Sequence, residues 1–150
     1  MYERILLPLD GSAVAEQALP YAIAQAVRFE AELVLLQTLP ALPRPATIPE
    51  TMIQETEAAT VRAAQDYLER VALQVSQTHK RTQVAVVIGS AHERILQYAE
   101  ENEIDLIVIC TRGQSGFLSR WLMGSVSDRV VRGARVPVLM VRASEGTESG

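Results

Sequence analysis

The sequence LIVICTRGQSGF at residues 106–117 is followed by LSRWLMGSV at 118–126 and VPVLMV at 136–141. It begins with a continuous apolar run, which is typical of a buried strand in a parallel sheet. A glycine-bearing loop then ends at Gly124-Ser125, where an apolar helical pattern begins, and a second apolar strand follows. A helix N-terminus attracts anions because its backbone N–H groups and its dipole point at them. The stretch therefore predicts a phosphorylated ligand at this loop, with a nucleotide as the leading candidate.

Outward from this stretch, further apolar runs alternate with amphipathic segments. Strands are expected at residues 4–10, 33–38, 84–88, 106–109 and 138–141, and helices at 12–27, 51–76, 90–101 and 125–133. This alternation predicts an α/β fold, a doubly wound five-stranded parallel sheet with helices on both faces. We expect a single domain over residues 1–142 and a flexible polar tail over 143–150.

Local signals predict how the helices begin and bend. Pro20 falls inside the first helical pattern and should bend that helix, because proline removes one hydrogen bond. Thr51 with Gln54, and Ser90 with Glu93, match the capping-box pattern of a helix N-terminus.

Composition excludes several classes of protein. The net charge of −4 argues against nucleic acid as the main partner. No apolar run reaches the roughly 20 residues needed to cross a bilayer, and Asp10 interrupts the apolar N-terminal segment, so we expect no signal peptide and a cytoplasmic protein. Cys110 is the only cysteine, and His79 and His92 match no ligand spacing, so no metal site is expected. Dinucleotide-binding, Walker A and nucleophile-elbow motifs are absent, which argues against an enzyme of a standard class.

Two groups of candidate site residues follow predicted strands. Asp10 comes after the first strand, and the glycine loop comes after the fourth. Ligands of doubly wound sheets bind beyond the carboxyl ends of the strands at the switch point, so these groups would share one crevice if the two strands are neighbours. Arginines near the loop either form a solvated helix face or include one or two that meet phosphate; they are Arg112, Arg120, Arg129, Arg132 and Arg135.

Each candidate also has a purely structural interpretation, which the sequence leaves open. Asp10 could be a turn residue or helix cap, Gly89 a strand-to-helix turn, and Ser125 a plain N-cap. Cys110 could be a buried small apolar residue, and Trp121 a packing or interface residue.

The motifs taken together carry a family resemblance. They are LPLDGS at 7–12, GSAHE at 89–93, TRG at 111–113, and GSV at 124–126 leading to VPV at 136–138. With them the sequence resembles the universal stress protein family over nearly the whole chain. That resemblance implies a sheet ordered 3-2-1-4-5, and it places the first and fourth strands side by side.

The resemblance also implies ATP or a related adenine nucleotide as ligand, with Mg²⁺ accompanying it. Asp10 would lie near the ribose or the metal-bound phosphates, which makes it an indirect metal contact. The other residues implied are Pro8, Leu9 and Thr38 around adenine, Gly89 on the ribose side, Arg112, Gly113, Gly124, Ser125 and Ser127 at phosphate, and Cys110 and Val126 in the same loops.

The chain departs twice from the pattern of the ATP-binding members, which is Gly-x-x-Gly, nine residues, then Gly-Ser or Gly-Thr. Cys110 stands at the first glycine, and ten residues separate Gly113 from Gly124. Three hypotheses therefore stay open: a nucleotide-binding stress or regulatory protein without efficient catalysis, a slow Mg-dependent ATPase, and a ligand-free dimeric interaction protein.

The last strand predicts assembly. Val138, Leu139, Met140 and Val141 are all apolar, and the implied strand order places them at the sheet edge. An open apolar edge strand is normally covered or paired. Since similar family members dimerise in this way, we expect a homodimer through this strand. The sequence names no other protein partner.

Overall fold

The computed structural model describes residues 1–111 and 125–144. The elements along the chain are β1 (Arg4–Pro8), α1 (Ala13–Glu16), α2 (Leu19–Phe29), β2 (Glu32–Leu39), α3 (Glu50–Val75), β3 (Thr82–Ile88), α4 (Ala91–Glu101), β4 (Leu106–Thr111), α5 (Ser125–Gly133) and β5 (Val138–Arg142). Strands and helices alternate as the apolar pattern predicted.

The strands form one parallel sheet in the order β3-β2-β1-β4-β5, which confirms the predicted fold class and strand order. β1 pairs with β2 on one side, where Arg4 is level with Glu32. It pairs with β4 on the other side, where Ile5 is level with Leu106. The chain runs outward from β1 through β2 to β3, then returns to β4 and β5. The switch point therefore lies between the carboxyl ends of β1 and β4.

Both faces of the sheet are covered. Ile5 and Leu7 of β1 join the core on the side of α2 and α3, whereas Leu6 joins the core on the side of α4 and α5. These three side chains are fully buried, as expected for a continuous apolar strand, and each stabilises the fold by about 1.5–3 kcal/mol. Ala18, Ala22 and Ala26 are also fully buried, and their small side chains let α2 approach the sheet closely.

The first helix differs from the prediction. Instead of one helix bent at Pro20, the chain forms α1 and a separate helix α2 that begins at Leu19. Pro20 lies in the first turn of α2. A proline is tolerated there because the N–H it lacks would have had no intrahelical acceptor.

The predicted capping boxes are not formed. Pro49 is the N-cap of α3, so Thr51 lies inside the helix and does not cap it. Ser90 is the N-cap of α4 as predicted, but its side chain makes no capping bond. Its hydroxyl lies instead 3.3 Å from Nδ1 of His92. Both patterns identified a helix start to within a few residues without predicting the hydrogen bond that makes it.

β5 is an edge strand of this sheet, as the order implied. Val138, Leu139 and Met140 are half-buried and Val141 is buried. The pairing of β5 with a second copy stays a prediction. Ala143 and Ser144, the first residues of the predicted tail, are hydrogen-bonded to the domain, and residues 145–150 lie outside the described part of the chain.

Candidate functional site

A cavity of about 230 Å³ opens at the switch point, at the carboxyl ends of β1 and β4 and beside the N-terminal ends of α1, α4 and α5. Eight of the residues predicted from the sequence lie around it: Pro8, Leu9, Asp10, Thr38, Cys110, Ser125, Val126 and Ser127. The tertiary structure therefore brings together side chains from segments that are more than a hundred residues apart, from Pro8 to Ser127. Their roles toward a ligand stay a prediction.

Asp10 shapes the wall formed by the loop after β1. Its Oδ1 accepts hydrogen bonds from the N–H of Ser12 at 2.9 Å and from the Ser12 hydroxyl at 2.5 Å. The same hydroxyl accepts from the N–H of Ala15 at 3.1 Å and thereby caps α1. Gly11 between them has a φ of +86°, a conformation that favours glycine. Asp10 is thus a turn residue, and its exposed carboxylate also borders the cavity.

Gly89 has a structural role in the turn after β3. Its N–H donates to the carbonyl oxygen of Leu39 at 2.8 Å, and its φ is +143°. A Cβ at this position would lie 2.8 Å from Cγ and Cδ of Arg94. Gly89 therefore forms a strand-to-helix turn, and its contact on the ribose side stays a prediction.

The start of α5 forms the wall opposite α1. Ser125 is exposed, Val126 is half-buried and Ser127 is only 3% exposed. The geometry of an α-helix leaves the N–H groups of its first turn without intrahelical acceptors, and the dipole places partial positive charge there. This end of the cavity is therefore suited to an anionic group.

The arginines that the structure describes at α5 belong to its solvated face. Arg132 makes an ion pair with Asp128, its Nε lying 3.0 Å from Oδ1. Arg135 pairs with Glu100 at 3.3 Å. Arg129 is exposed. Such exposed pairs contribute about 0–1 kcal/mol to stability. Arg112, Gly113, Arg120, Trp121 and Gly124 lie outside the described residues.

Cys110 borders the cavity at the end of β4. Its thiol is half-buried and donates to the carbonyl oxygen of Thr111 at 3.5 Å. Burial raises the pKa of the thiol, and the negative charge of Asp10 raises that pKa further. Since the thiolate is the reactive form, Cys110 is a poor nucleophile at neutral pH. Cys110 is thus a small, partly buried wall residue.

Tyr67 lies behind the Asp10 loop, on the α3 side of the sheet. Burial, and then the charges of Glu16 and Asp10, raise the pKa of its phenol to about 12. The phenol is therefore neutral across the physiological pH range. Its hydroxyl is buried without a hydrogen bond of ordinary geometry among the described residues.

Six residues around the cavity were not predicted. They are Ser12, Val14, Ala15, Ala91, Ile95 and Ile109. Most of them lie close in sequence to predicted site residues, and this closeness could have identified them. Ser12 follows Asp10-Gly11, and Ala91 follows Gly89-Ser90. Ile95 lies inside a predicted helix and had no such signal.

Residues 1–111 and 125–144 contain no group of three or more His, Cys, Asp and Glu side chains that could hold a metal ion. Within the same ranges no helix is long and apolar enough to cross a membrane.

Comparison with known proteins identifies the family. The sequence profile described as "Universal stress protein family" matches residues 1–142. This chain belongs to the universal stress protein family. Universal stress protein MJ0531 of Methanocaldococcus jannaschii is 30% identical to it over 142 residues, which cover 95% of this chain and 83% of that protein.

Solved structures of universal stress proteins agree with the fold. UspA of Lactobacillus plantarum is 26% identical, has a TM-score of 0.80, and covers 94% of this chain and 98% of its own. A universal stress protein solved in complex with cAMP is 25% identical, has a TM-score of 0.63, and covers 95% of this chain and 98% of its own. The family and the α/β fold that the sequence predicted are therefore confirmed.

Proposed function

We propose that this universal stress protein binds ATP or a related adenine nucleotide in the cavity between β1 and β4, and that it acts in the stress response as a regulatory protein without efficient catalysis. The observation that carries the proposal is the meeting of eight residues predicted from the sequence around one cavity at the switch point. The similar protein solved with cAMP supports an adenine nucleotide as the ligand class. Its place of action, in the cytoplasm, stays a prediction.

The chemistry of the walls suits the parts of a nucleotide. Pro8, Leu9 and Thr38 would line the adenine pocket, Thr38 through its backbone. At the start of α5, Ser125 and Ser127 offer hydroxyl groups beside the backbone N–H groups of a helix N-terminus, which suits phosphate. Gly89 would contact the ribose side, as the family resemblance implies, in addition to forming the turn after β3.

Mg²⁺ would enter with the nucleotide. Mg²⁺ usually keeps several waters and binds through one or two carboxylates together with substrate phosphates. Asp10 supplies the one carboxylate among the described residues around the cavity, so the residues present fit this mode. When bound, the ion would neutralise phosphate charge.

The described walls offer little for catalysis. They contain no histidine and no lysine, and their one carboxylate already accepts two hydrogen bonds from Ser12. A general base must reach the proton that it removes and have a pKa near the working pH. We therefore propose slow or absent hydrolysis, with a slow Mg-dependent ATPase as one alternative.

The ligand-free interaction protein is the other alternative, and Cys110 favours it. Its side chain takes up space at the cavity wall where ATP-binding members have a glycine. A cavity that excludes the nucleotide would leave the fold and the predicted β5 dimer as the functional features.

Calorimetry tests the proposal. Titrations with ATP, AMP and cAMP, each with and without Mg²⁺, should give saturable binding to at least one nucleotide. Asp10→Asn keeps an oxygen acceptor for Ser12 but removes the charge, so it should weaken Mg-ATP about tenfold, or 1.4 kcal/mol, and change Mg-free ATP less. Gln54→Leu, at an exposed position of α3, is the control and should bind as the wild type does. Absence of binding by all three nucleotides would favour the ligand-free alternative.

A further inference from the structure

The two residues after β5 are hydrogen-bonded to residues that adjoin two walls of the cavity. The N–H of Ala143 donates to Oγ1 of Thr111 at 3.3 Å. The N–H and the hydroxyl of Ser144 both donate to Oε1 of Gln17, at 2.8 and 3.1 Å, and Nε2 of Gln17 donates back to the carbonyl oxygen of Ser144 at 3.3 Å. The contacts between Gln17 and Ser144 join segments 127 positions apart in the sequence, and the contact between Thr111 and Ala143 spans 32 positions.

The partners of these two residues lie at the ends of elements that border the cavity. Thr111 ends β4 and directly precedes Arg112-Gly113 of the predicted phosphate loop. Gln17 is the C-cap of α1 and lies at the junction with α2. Three residues at the start of this segment border the cavity: Ser12, Val14 and Ala15.

α1 is held by few contacts of its own. It is four residues long and contains no fully buried residue, although Ala15 packs, partly buried, against the core on the side of α2 and α3. Its N-terminal end is fixed by the Asp10–Ser12 turn. At its C-terminal end Gln17 bonds to Ser144, and the next residue, Ala18, is fully buried. Each exposed hydrogen bond contributes about 0.5–1.5 kcal/mol, so the position of this short helix depends in part on the Gln17–Ser144 bonds.

We propose that Ala143 and Ser144, with their partners Thr111 and Gln17, form a C-terminal latch that positions both walls of the nucleotide cavity. The inference rests on the proposed function for its ligand, while the positioning itself can be tested without one. Gln17 and Ser144 are positioning residues, since they act on the cavity through α1. Because linkage is reciprocal, nucleotide binding would hold the latch closed, and a closed latch would favour nucleotide binding. Any protein that captured Ala143 and Ser144 would then weaken nucleotide binding.

The latch is tested first without a ligand, by amide hydrogen exchange in the full chain. The N–H groups of Glu16, Gln17 and Ala18 donate to the carbonyls of Ser12, Val14 and Ala15, and they report the opening of α1. Gln17→Leu removes all three bonds to Ser144, and these amides should exchange at least about threefold faster. Gln17→Glu keeps the oxygen acceptor and should be intermediate, and Gln54→Leu should match the wild type.

A second variant changes Ser144, the hydrogen-bond partner of Gln17. Ser144→Pro removes the N–H that donates to Gln17, and it lies after the last strand, where the core is not disturbed. It should accelerate the same amides, while the urea midpoint of all the variants stays near the wild-type value. Wild-type exchange rates in both Gln17→Leu and Ser144→Pro would overturn the latch.

Nucleotide titration then tests the coupling. Gln17→Leu should weaken ATP about fivefold, which corresponds to the loss of one or two exposed hydrogen bonds, and Gln17→Glu should restore part of that loss. Unchanged affinity in a variant whose α1 amides exchange faster would overturn the coupling. Faster exchange in a protein that binds no adenine nucleotide would support the positioning and overturn the proposed function instead.

Discussion

Gly89 offers a sharp test of how this site is built, since the family motif predicted a ribose contact and the structure shows a turn. Replacing it with alanine adds only a Cβ. That atom has two consequences: it places an L residue at a φ of +143°, and it lies 2.8 Å from Cγ and Cδ of Arg94. The question is which of the two dominates.

Backbone strain should dominate. A non-glycine residue in this region of φ costs about 1–3 kcal/mol, because surrounding structure must impose the conformation. Contact with Arg94 is cheaper to relieve, since a half-exposed side chain can change rotamer for about 0.5–1.5 kcal/mol. We therefore expect Gly89→Ala to lower the free energy of unfolding by about 2 kcal/mol, and the melting temperature by about 4–8 °C for a domain of this size.

Two companion variants separate the two effects. Gly11→Ala has a positive φ of +86° with no atom within 4 Å of the new Cβ, so it measures backbone strain alone. Arg94→Ala combined with Gly89→Ala removes the steric contact and keeps the strain. The double variant should recover less than half of the loss, after correction for Arg94→Ala alone.

Urea unfolding monitored by circular dichroism measures the stability of the wild type and of the four variants under one set of conditions. A Gly89→Ala protein as stable as the wild type would refute the strained turn. Full recovery in the Arg94→Ala background would show instead that the side-chain clash is the cause. A Gly89→Ala protein that is as stable as the wild type but binds nucleotide more weakly would support a contact between Gly89 and the ribose.

Three further predictions follow from the site and the sheet. For catalysis, ATP turnover should stay below about 1 per second; faster hydrolysis that Asp10→Ala abolishes would favour the ATPase alternative. For Cys110, the pKa of the thiol is raised above its ordinary value of about 9, so the thiol is protonated at pH 7 and its labelling by a disulfide reagent should be slow there. Labelling should become faster once the pH exceeds about 9, and bound ATP should slow it. Rapid labelling at pH 7 would contradict the partly buried, protonated thiol. For assembly, sedimentation equilibrium at micromolar concentration should give about 33 kDa, twice the 16.5 kDa chain, and Leu139→Pro should give monomer or insoluble protein; a soluble, unchanged dimer of that variant would place the interface elsewhere.

The sequence by itself determined the elements of the fold. Continuous apolar runs such as Ile5–Leu7 mark strands covered on both faces, and the small residues Ala18, Ala22 and Ala26 mark a helix packed close to the sheet. These properties are local, because burial acts on each segment through its own hydrophobic pattern. The family motifs added the strand order, which the structure confirmed.

Only the tertiary structure decided what role each locally recognisable residue takes. Pro20 begins a helix where the pattern predicted a bend, and Arg132 and Arg135 pair with carboxylates on the surface instead of facing the cavity. Nothing in the sequence near Gln17 or Ser144 predicted that they would meet, since their contact depends on where β5 ends relative to α1. Side-chain partners far apart in sequence are set by the packing of whole elements, so the cavity at the switch point and the latch beside it exist only once the sheet has formed.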